Sequence, residues 1–450
     1  MAAEPPLYTE VADPGSLRPF GEQIEAWNPA GWPGYPDQLR RARQATGARH
    51  AVTTGLATVG GQACVLAGFE FGFLGGSMGT AEGARIAEAF AVAAARRLPL
   101  VSVAASGGTR MQEGTVALAQ MQTAAAAVVR ARQAGIPHLA VAGDPTTGGV
   151  WSSLIAGADL VFSVPGARVS FSGSRTRPAG ADPAAVEYFA DGQYAHGGVD
   201  VLVPRPDLRA TMAAAVQLLS PESRDGDPQP APVPARPEGP DGADASGHLP
   251  PADAWAHVSA ARRVGPARAE RWLAGYFGPT VEIRGDRCGG VDAGVRCGFG
   301  SHDGTTVAYI AQLGERITPA GFRTAARLLG LASRFRLPVL TLIDTPGAAA
   351  APADEAASLG AAIAELFAAV AACEVPVTSV VIGEGVSGGA LALASPASLW
   401  IARDAYLAVT APELAAAILK LGEAQVPEVA ARLRLTPADL LSQGLVRGII

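Results

Sequence analysis

The sequence predicts an α/β protein built from two related domains in tandem, and three observations carry that prediction. An apolar run that opens on proline and ends in glycine occurs four times, in two pairs. In the first half the pair is 98–108 (LPLVSVAASGG), opening on Pro99, and 136–150 (IPHLAVAGDPTTGGV), opening on Pro137. In the second half it is 337–347 (LPVLTLIDTPG), opening on Pro338, and 375–390 (VPVTSVVIGEGVSGGA), opening on Pro376. The prolines of each pair are 38 positions apart. An Ala-rich helical stretch precedes each pair, at 82–97 and 319–336. The halves also close alike, with HGGVDVLVP at 196–204 and SQGLVRGII at 442–450.

The elements follow in order. Residues 1–34 are rich in Pro and Gly and read as an N-terminal arm. The first domain, 35–219, opens with a short basic helix, YPDQLRRARQ at 35–44. Alternating β-formers between glycines at 51–73 predict two strands. GGSMG at 75–79 turns into the helix of 80–97. Strand 100–104, helix 112–134 and strand 138–142 come next, then a helix at 150–157, a strand near 159–163 and a closing helix at 207–219. Residues 220–250 are dense in Pro, Asp and Gly with few apolar residues, the composition of a disordered linker. The second domain, 251–450, has a helix around 252–275, strands at 280–284, 292–300 and 304–312, and the second copy of the βαβα unit.

Composition bounds the function. Two domains of about 200 residues each can bury two sizeable cores. The chain is 49% apolar without an uninterrupted span long enough for a transmembrane helix, and its acidic, Pro-rich start lacks a signal-peptide core, so a cytoplasmic protein with no membrane partner is expected. A net charge of −6 argues against a nucleic-acid partner. The four cysteines (Cys64, Cys288, Cys297, Cys373) form no CxxC, and the six histidines are scattered, so no metal site is expected. Of the 35 basic residues only Lys420 is a lysine, and it sits in ILKLG, which excludes a P-loop. Bound phosphate must then meet arginine or backbone N–H groups.

Two glycine turns per half offer two sets of backbone N–H donors, which suits chemistry with two developing oxyanions. FEFGFLGGSMG at 69–79, ASGGTRMQEG at 105–114 and DPTTGGV at 144–150 resemble the β-subunit of the acetyl-CoA carboxylase carboxyltransferase. GFRTAARLLGLASRFRLPVLTLIDTPGA at 321–348, IGEGVSGGAL at 382–391 and residues 435–450 resemble its α-subunit. The chain is similar to a fused β–α acyl-CoA carboxylase carboxyltransferase over about 35–219 and 255–450.

The resemblance implies two tandem crotonase (ClpP-like) domains of repeated ββα units. It implies transfer of CO2 from carboxybiotin, supplied by a separate carrier protein, to the α-carbon of a short acyl-CoA. No metal and no dedicated side-chain base are needed; the biotin ureido anion takes the α-proton. By this resemblance Gly148 and Gly149 form the hole for the acyl-CoA enolate, with Gly107 and Gly108 lining it. Gly388 and Gly389 form the hole for biotin, with Gly347 and Ala348 beside it. Arg110, Met111 and Gln112 start a helix that positions CoA or packs the turn. Arg40, Arg41 and Arg43 meet CoA phosphates or form a solvated helix face. Expected partners are a biotin carboxylase and a biotin carboxyl carrier protein, in a homo-oligomer (a dimer or a trimer of dimers) whose active site lies between an N-domain and a C-domain. Lys420 lies between Leu419 and Leu421, not between methionines, so the chain itself should not carry biotin.

The sequence also departs from the family. Residues 348–353 read AAAAPA where an aromatic is usual, 313–320 offers only Arg316, and Trp151 occupies a position that is usually small. Trp151 either narrows the acyl pocket in favour of acetyl-CoA or packs into the core. The closest rival function is a biotin-independent decarboxylase of malonyl-CoA or a malonyl carrier that uses the enolate hole alone; a non-catalytic scaffold is a third. GVSGG at 385–389 and GGSMG at 75–79 match G-x-S-x-G, but the last histidine is His302, so Ser387 has none downstream to complete a hydrolase triad in the usual order.

Overall fold

The computed structural model describes residues 5–221, 226–237, 253–263 and 267–450. The chain divides into two compact units, Met1–Asp225 and Gly226–Ile450. Each is organised around one sheet whose first strands are antiparallel and whose remaining strands are parallel.

In the first unit the strands are β1 (Arg18–Phe20), β2 (Val52–Val59), β3 (Gln62–Phe69), β4 (Leu100–Ser106), β5 (His138–Thr147), β6 (Leu160–Ser163), β7 (Val169–Ser170) and β8 (Val201–Leu202). They lie in the order β1-β2-β3-β4-β5-β6-β8, with β7 beside the end of β5. In the second unit β9 (Thr280–Ile283), β10 (Val295–His302), β11 (Thr305–Gln312), β12 (Val339–Thr345), β13 (Val377–Val386) and β14 (Leu399–Ile401) lie in reverse succession, β14-β13-β12-β11-β10-β9, and β15 (Tyr406–Ala408) pairs the end of β13. The central strands are buried along nearly their whole length, as parallel strands covered on both faces must be. Helices Thr80–Arg96 and Thr115–Gln133 connect β3, β4 and β5; Pro319–Phe335 and Leu359–Ala371 do the same for β11, β12 and β13.

The duplication is residue for residue. Leu100 pairs with His138 and Val339 with Val377, and each residue of the second pair lies 239 positions after its counterpart in the first. Helices Thr80–Arg96 and Pro319–Phe335 both end on an arginine in the left-handed region, Arg97 at φ 53° and Arg336 at φ 54°. Both β4–β5 and β12–β13 break register at the same place, between Ala104 and Ser106 and between Ile343 and Thr345.

Three expectations change. Residues read as an arm are docked on the first unit from residue 5 onward. The Tyr8 ring occupies the space a Cβ on Gly68 would need, Glu10 pairs with Arg205 at 2.7 Å, and β1 extends the sheet on β2. Asp13 ties this segment to the β2–β3 turn by accepting from Gly60 N–H (2.9 Å), Gly61 N–H (2.8 Å) and the Thr58 hydroxyl (2.6 Å). A few anchoring contacts, not periodicity, fix it. Likewise 226–237, read as disordered linker, runs over the second unit. The Thr378 hydroxyl donates to Ala231 O (2.8 Å), the Tyr276 hydroxyl to Pro232 O (2.9 Å), and Arg236 pairs with Asp404. The rest of the linker reading falls on 222–225 and 238–250, outside the described residues, apart from Ser220 and Pro221. Finally, the helix expected at 252–275 is two helices, Ala254–Arg263 and Ala267–Tyr276.

Candidate active site

In each unit the two glycine turns end adjacent strands, β4 and β5 or β12 and β13, and meet. The first turn is held by a hydroxyl. Ser106 Oγ accepts from Gly108 N–H at 3.0 Å and donates to Gly76 O; Thr345 Oγ1 accepts from Gly347 N–H at 3.0 Å and donates to Glu315 O. A one-residue bridge then fixes the next backbone segment. Met78 N–H donates to Gly108 O and Arg110 N–H to Met78 O; Ile317 N–H donates to Gly347 O and Ala349 N–H to Ile317 O. Because N–H groups alternate in direction along extended chain, the residue between the bridged ones, Thr109 or Ala348, turns its N–H away from the bridge.

The second turn supplies the other donor. Gly148 takes φ 62°, donates its N–H to Phe171 O (3.0 Å), and leaves Gly149 at the start of a helical turn. Among the described residues, the N–H groups of Thr109 and Gly149 have no acceptor, and neither do those of Ala348, Gly388 and Gly389. Orphan donors at a helix start, in a site shielded from competing acceptors, are what an oxyanion needs. The two turns touch so closely that side chains are excluded: a Cβ on Gly108 would lie 3.5 Å from Gly149 N, and one on Gly149 would lie 2.6 Å from Thr109 Oγ1.

The structure therefore sorts the predicted residues. Gly149 has a free donor; Gly107, Gly108 and Gly148 donate within the chain, to Gly75 O, Ser106 Oγ and Phe171 O, and serve as spacers. The partner donor, Thr109, was not singled out in the sequence. Its signal is the 239-residue offset, which makes it the counterpart of Ala348. The same offset pairs Gly149 with Gly388, not with Gly389, and Gly148 with Ser387. Gly389 is walled in, with Ala348 N only 2.7 Å from where its Cβ would be. A Cβ on Gly388 would meet nothing within 4 Å. Ser387, which was considered only as a hydrolase nucleophile, takes φ 64°. A non-glycine residue held there stores about 1–3 kcal/mol of strain.

Arg110, expected either to position CoA or to pack the turn, points inward. It is 1% exposed, pairs with Glu82 at 2.9 Å and Glu113 at 3.3 Å, and donates to Ser77 O. The carboxylates tie the turn to neighbouring backbone: Glu82 accepts from Ala51 N–H and Gly79 N–H, and Glu113 from Thr80 N–H and the Tyr35 hydroxyl. Burial alone pushes the Glu82 carboxyl up, but the Arg110 guanidinium outweighs it and holds the group below the usual carboxylate range. Burial likewise raises the Tyr35 hydroxyl. Arg110 braces the floor beneath the first hole. The reason is visible in its neighbours: a cation this buried must be paired.

The second hole is braced from another side. Asp344, three residues before Gly347, pairs with Arg268 at 3.0 Å and accepts from Glu384 N–H at 2.8 Å. Burial raises its pKa to about 6, with Arg268 opposing the shift. Arg262 holds Glu384 at 2.6 Å and also pairs with Glu413, while the Tyr406 hydroxyl donates to Glu384. The end of β13 is thus pinned to the helix pair 254–276.

Trp151 is 7% exposed and belongs to the first unit's core, packed with Val150, Leu154 and Ile155 on a wide π-type turn. Its indole fills core volume. Of the three basic residues on helix Tyr35–Thr46, Arg40 pairs with Asp37 and Arg43 with Glu25. Arg41 lines an open surface pocket of about 340 Å³ with Gln38, Ala42, Gly72, Leu74 and Gly75, and Gly75 O accepts from Gly107 N–H. Among the described residues no group of His, Cys, Asp or Glu could hold a metal ion, and no helix is long and apolar enough to cross a membrane.

Known proteins are similar to this chain. A family model described as acetyl co-enzyme A carboxylase carboxyltransferase-like matches residues 249–450, and one described as a carboxyl transferase domain matches 26–177. The acetyl-coenzyme A carboxylase carboxyl transferase subunits beta/alpha of Salinispora tropica are 37% identical over 99% of this chain and 81% of their own length. A probable biotin-dependent acyl-coenzyme A carboxylase beta3 subunit of Mycobacterium bovis is 34% identical over 92% of this chain and 83% of its own. Among solved structures, transcarboxylase 12S, a hexamer crystallised with hydrolysed methylmalonyl-coenzyme A, shares the two-domain crotonase-like fold at a TM-score of 0.78 and 20% identity, over 99% of this chain and 85% of that one. A single-chain, multi-domain long-chain acyl-CoA carboxylase matches at a TM-score of 0.76 over 99% of this chain and 44% of its own, at 19% identity. The chain belongs to the carboxyltransferase family of biotin-dependent acyl-coenzyme A carboxylases.

Proposed function

We propose that the chain transfers CO2 from carboxybiotin on a carrier protein to the α-carbon of a short acyl-CoA, converting acetyl-CoA to malonyl-CoA. The observation that carries this reading is the duplicated pair of unpaired backbone donors, Thr109 with Gly149 and Ala348 with Gly388. Carboxybiotin supplies the CO2 and an acceptor for the α-proton. The backbone fits its ureido edge: the Gly388 α-carbon opens onto free space beside the Ala348 and Gly388 donors.

The chain's own residues do the rest. Thr109 and Gly149 N–H groups stabilise the thioester oxygen as its charge grows, which lowers the barrier to losing the α-proton. Ala348 and Gly388 do the same for the oxygen at the other site. The donors are fixed by the Ser106 and Thr345 clamps before any substrate arrives, so little reorganisation is needed. Arg41, in the pocket next to Gly75, is placed to meet a CoA phosphate. The acetyl preference rests on the relatives' names, since Trp151 is buried in the first unit's core.

The partners we propose are a biotin carboxylase and a biotin carboxyl carrier protein, with this chain as a cytoplasmic homo-oligomer. Lys420 sits exposed at a helix end between two leucines, so biotin arrives on another protein. The test runs the reaction in reverse, with purified chain, malonyl-CoA and biocytin. Acetyl-CoA formation that depends on biocytin supports the reading. Equal turnover without biocytin sinks it and supports the decarboxylase instead, and faster turnover of methylmalonyl-CoA than of malonyl-CoA refutes the acetyl preference.

A further inference from the structure

We infer that the Ser387 hydroxyl is a direct contact for the ligand of the second hole, donating a hydrogen bond to the polar edge of the biotin ureido group. The inference rests on the carboxyltransferase reading and assigns a side chain to a hole otherwise made of main chain.

Ser387 is strained in a place where strain is not needed. Several other non-glycine residues with positive φ end helices, as Arg97 and Arg336 do, or turn a hairpin, as Asp303 does between β10 and β11; Ser358 stands before helix Leu359–Ala371 at φ 63°. A left-handed residue is the ordinary way to stop a helix. Ser387, like Ser358, stands at the start of one, directly after the extended Val386 (φ −114°, ψ 126°). Its counterpart in the first unit, Gly148, takes φ 62°. The turn therefore demands φ near this value in both units, and glycine meets the demand without strain. Serine adds one thing that glycine lacks, a hydroxyl.

That hydroxyl is unused within the protein. Ser387 is exposed, and its Oγ has no hydrogen-bond partner among the described residues. The next α-carbon, Gly388, faces open space, and the free N–H groups of Ala348 and Gly388 lie alongside. The nearest ionisable neighbours are committed elsewhere: Glu384 to Arg262 and Tyr406, and the Arg316 guanidinium to Ala348 O at 3.2 Å. Two exposed apolar side chains stand on the neighbouring segments. Val409, 74% exposed, follows β15 where Ala408 pairs with Val386, and Leu391, 48% exposed, lies one turn along the helix that Ser387 starts. A hydroxyl and two amide donors, with apolar side chains on neighbouring segments, match a planar polar edge on an apolar ring system, the chemistry of a biotin bicycle.

The test measures biocytin-dependent decarboxylation of malonyl-CoA by wild type, Ser387→Ala and Ser387→Gly. Losing one hydrogen bond to a group that gains charge lowers kcat/KM for biocytin on the order of 10- to 100-fold in both variants. KM for malonyl-CoA stays within about twofold, and Ser387→Gly melts at or above the wild-type temperature because its turn is relaxed. Wild-type kcat/KM for biocytin in both variants overturns the assignment. So does an equal rise in KM for both substrates, or a lowered Tm in Ser387→Gly, since either makes the serine structural. A wild-type chain without biocytin-dependent turnover overturns the reading of the site itself and the assignment with it, and that outcome is seen before any variant is compared.

Discussion

Adding a single methyl group at Gly388 separates the biotin-side hole from the fold around it. A Cβ there meets no heavy atom within 4 Å, and the residue does not use a positive φ. Alanine in its place removes backbone freedom from the unfolded chain, which stabilises by about 0.4–1 kcal/mol where the native conformation is compatible. In a unit of this size that raises Tm by up to ~4 °C. The same methyl stands in the space beside the Gly388 and Ala348 donors, where the ureido oxygen must come. Losing one donor of an oxyanion hole lowers the rate about 10²- to 10³-fold, or about 2.7–4 kcal/mol of transition-state stabilisation. Gly388→Ala should thus be at least as stable as the wild type and nearly inactive toward biocytin. The contrast is Gly149→Ala, whose Cβ would sit 2.6 Å from Thr109 Oγ1 and 3.0 Å from Met121 Sδ. That variant should lose both activity and about 1–3 kcal/mol of stability through overpacking. Thermal melts and reverse-reaction kinetics on both proteins check the pair. Full biocytin-dependent turnover in Gly388→Ala refutes the placement of the hole, and a marked drop in its Tm refutes the open space in front of it.

Two further outcomes follow from the buried charges. Arg110→Met leaves Glu82 and Glu113 buried without their cation, which costs about 3–5 kcal/mol; the urea midpoint of the first unit should fall, and a stable variant with only a raised KM for CoA would show that the guanidinium faces ligand after all. For Asp344 the native carboxyl keeps its proton up to about pH 6, whereas an unfolded aspartate loses it near 3.9. Between those values the native state binds more protons, so this group's contribution to stability falls as pH rises through the window, by about 3 kcal/mol in all. Urea unfolding at pH 4 to 7 should show that slope in the wild type and lose it in Asp344→Asn; parallel curves refute it.

The β4–β5 and β12–β13 cores were legible because buried parallel strands leave long apolar runs, and prolines and glycines punctuate them. The four glycine turns were equally plain. Which glycine donates was not, because donation depends on where each N–H points. Ser106 and Thr345 consume one donor, Phe171 another, and only the bridge at Met78 reveals Thr109 as the counterpart of Ala348. The role of Arg110 stayed open for a related reason: an arginine after a glycine turn looks the same whether it faces a ligand or the buried carboxylates of Glu82 and Glu113. The docked segments around Tyr8, Asp13 and Ala231 carry no period at all, so only their partners could announce them.

The clamp that sets each hole has a consequence for how such a site can be gained or lost. Its donors are main-chain amides, and nineteen of the twenty amino acids carry one. Changing a side chain at 109, 149, 348 or 388 can crowd the hole or shift it, but only proline deletes the donor outright. The second unit already holds a proline, Pro346, at the position where the first has Gly107, whose N–H is spent on Gly75 O. Proline is thus accepted one step from the hole, at a position whose amide is not one of the donors. In the proposed site the donors are set by backbone direction, and most side chains are free to diverge around them.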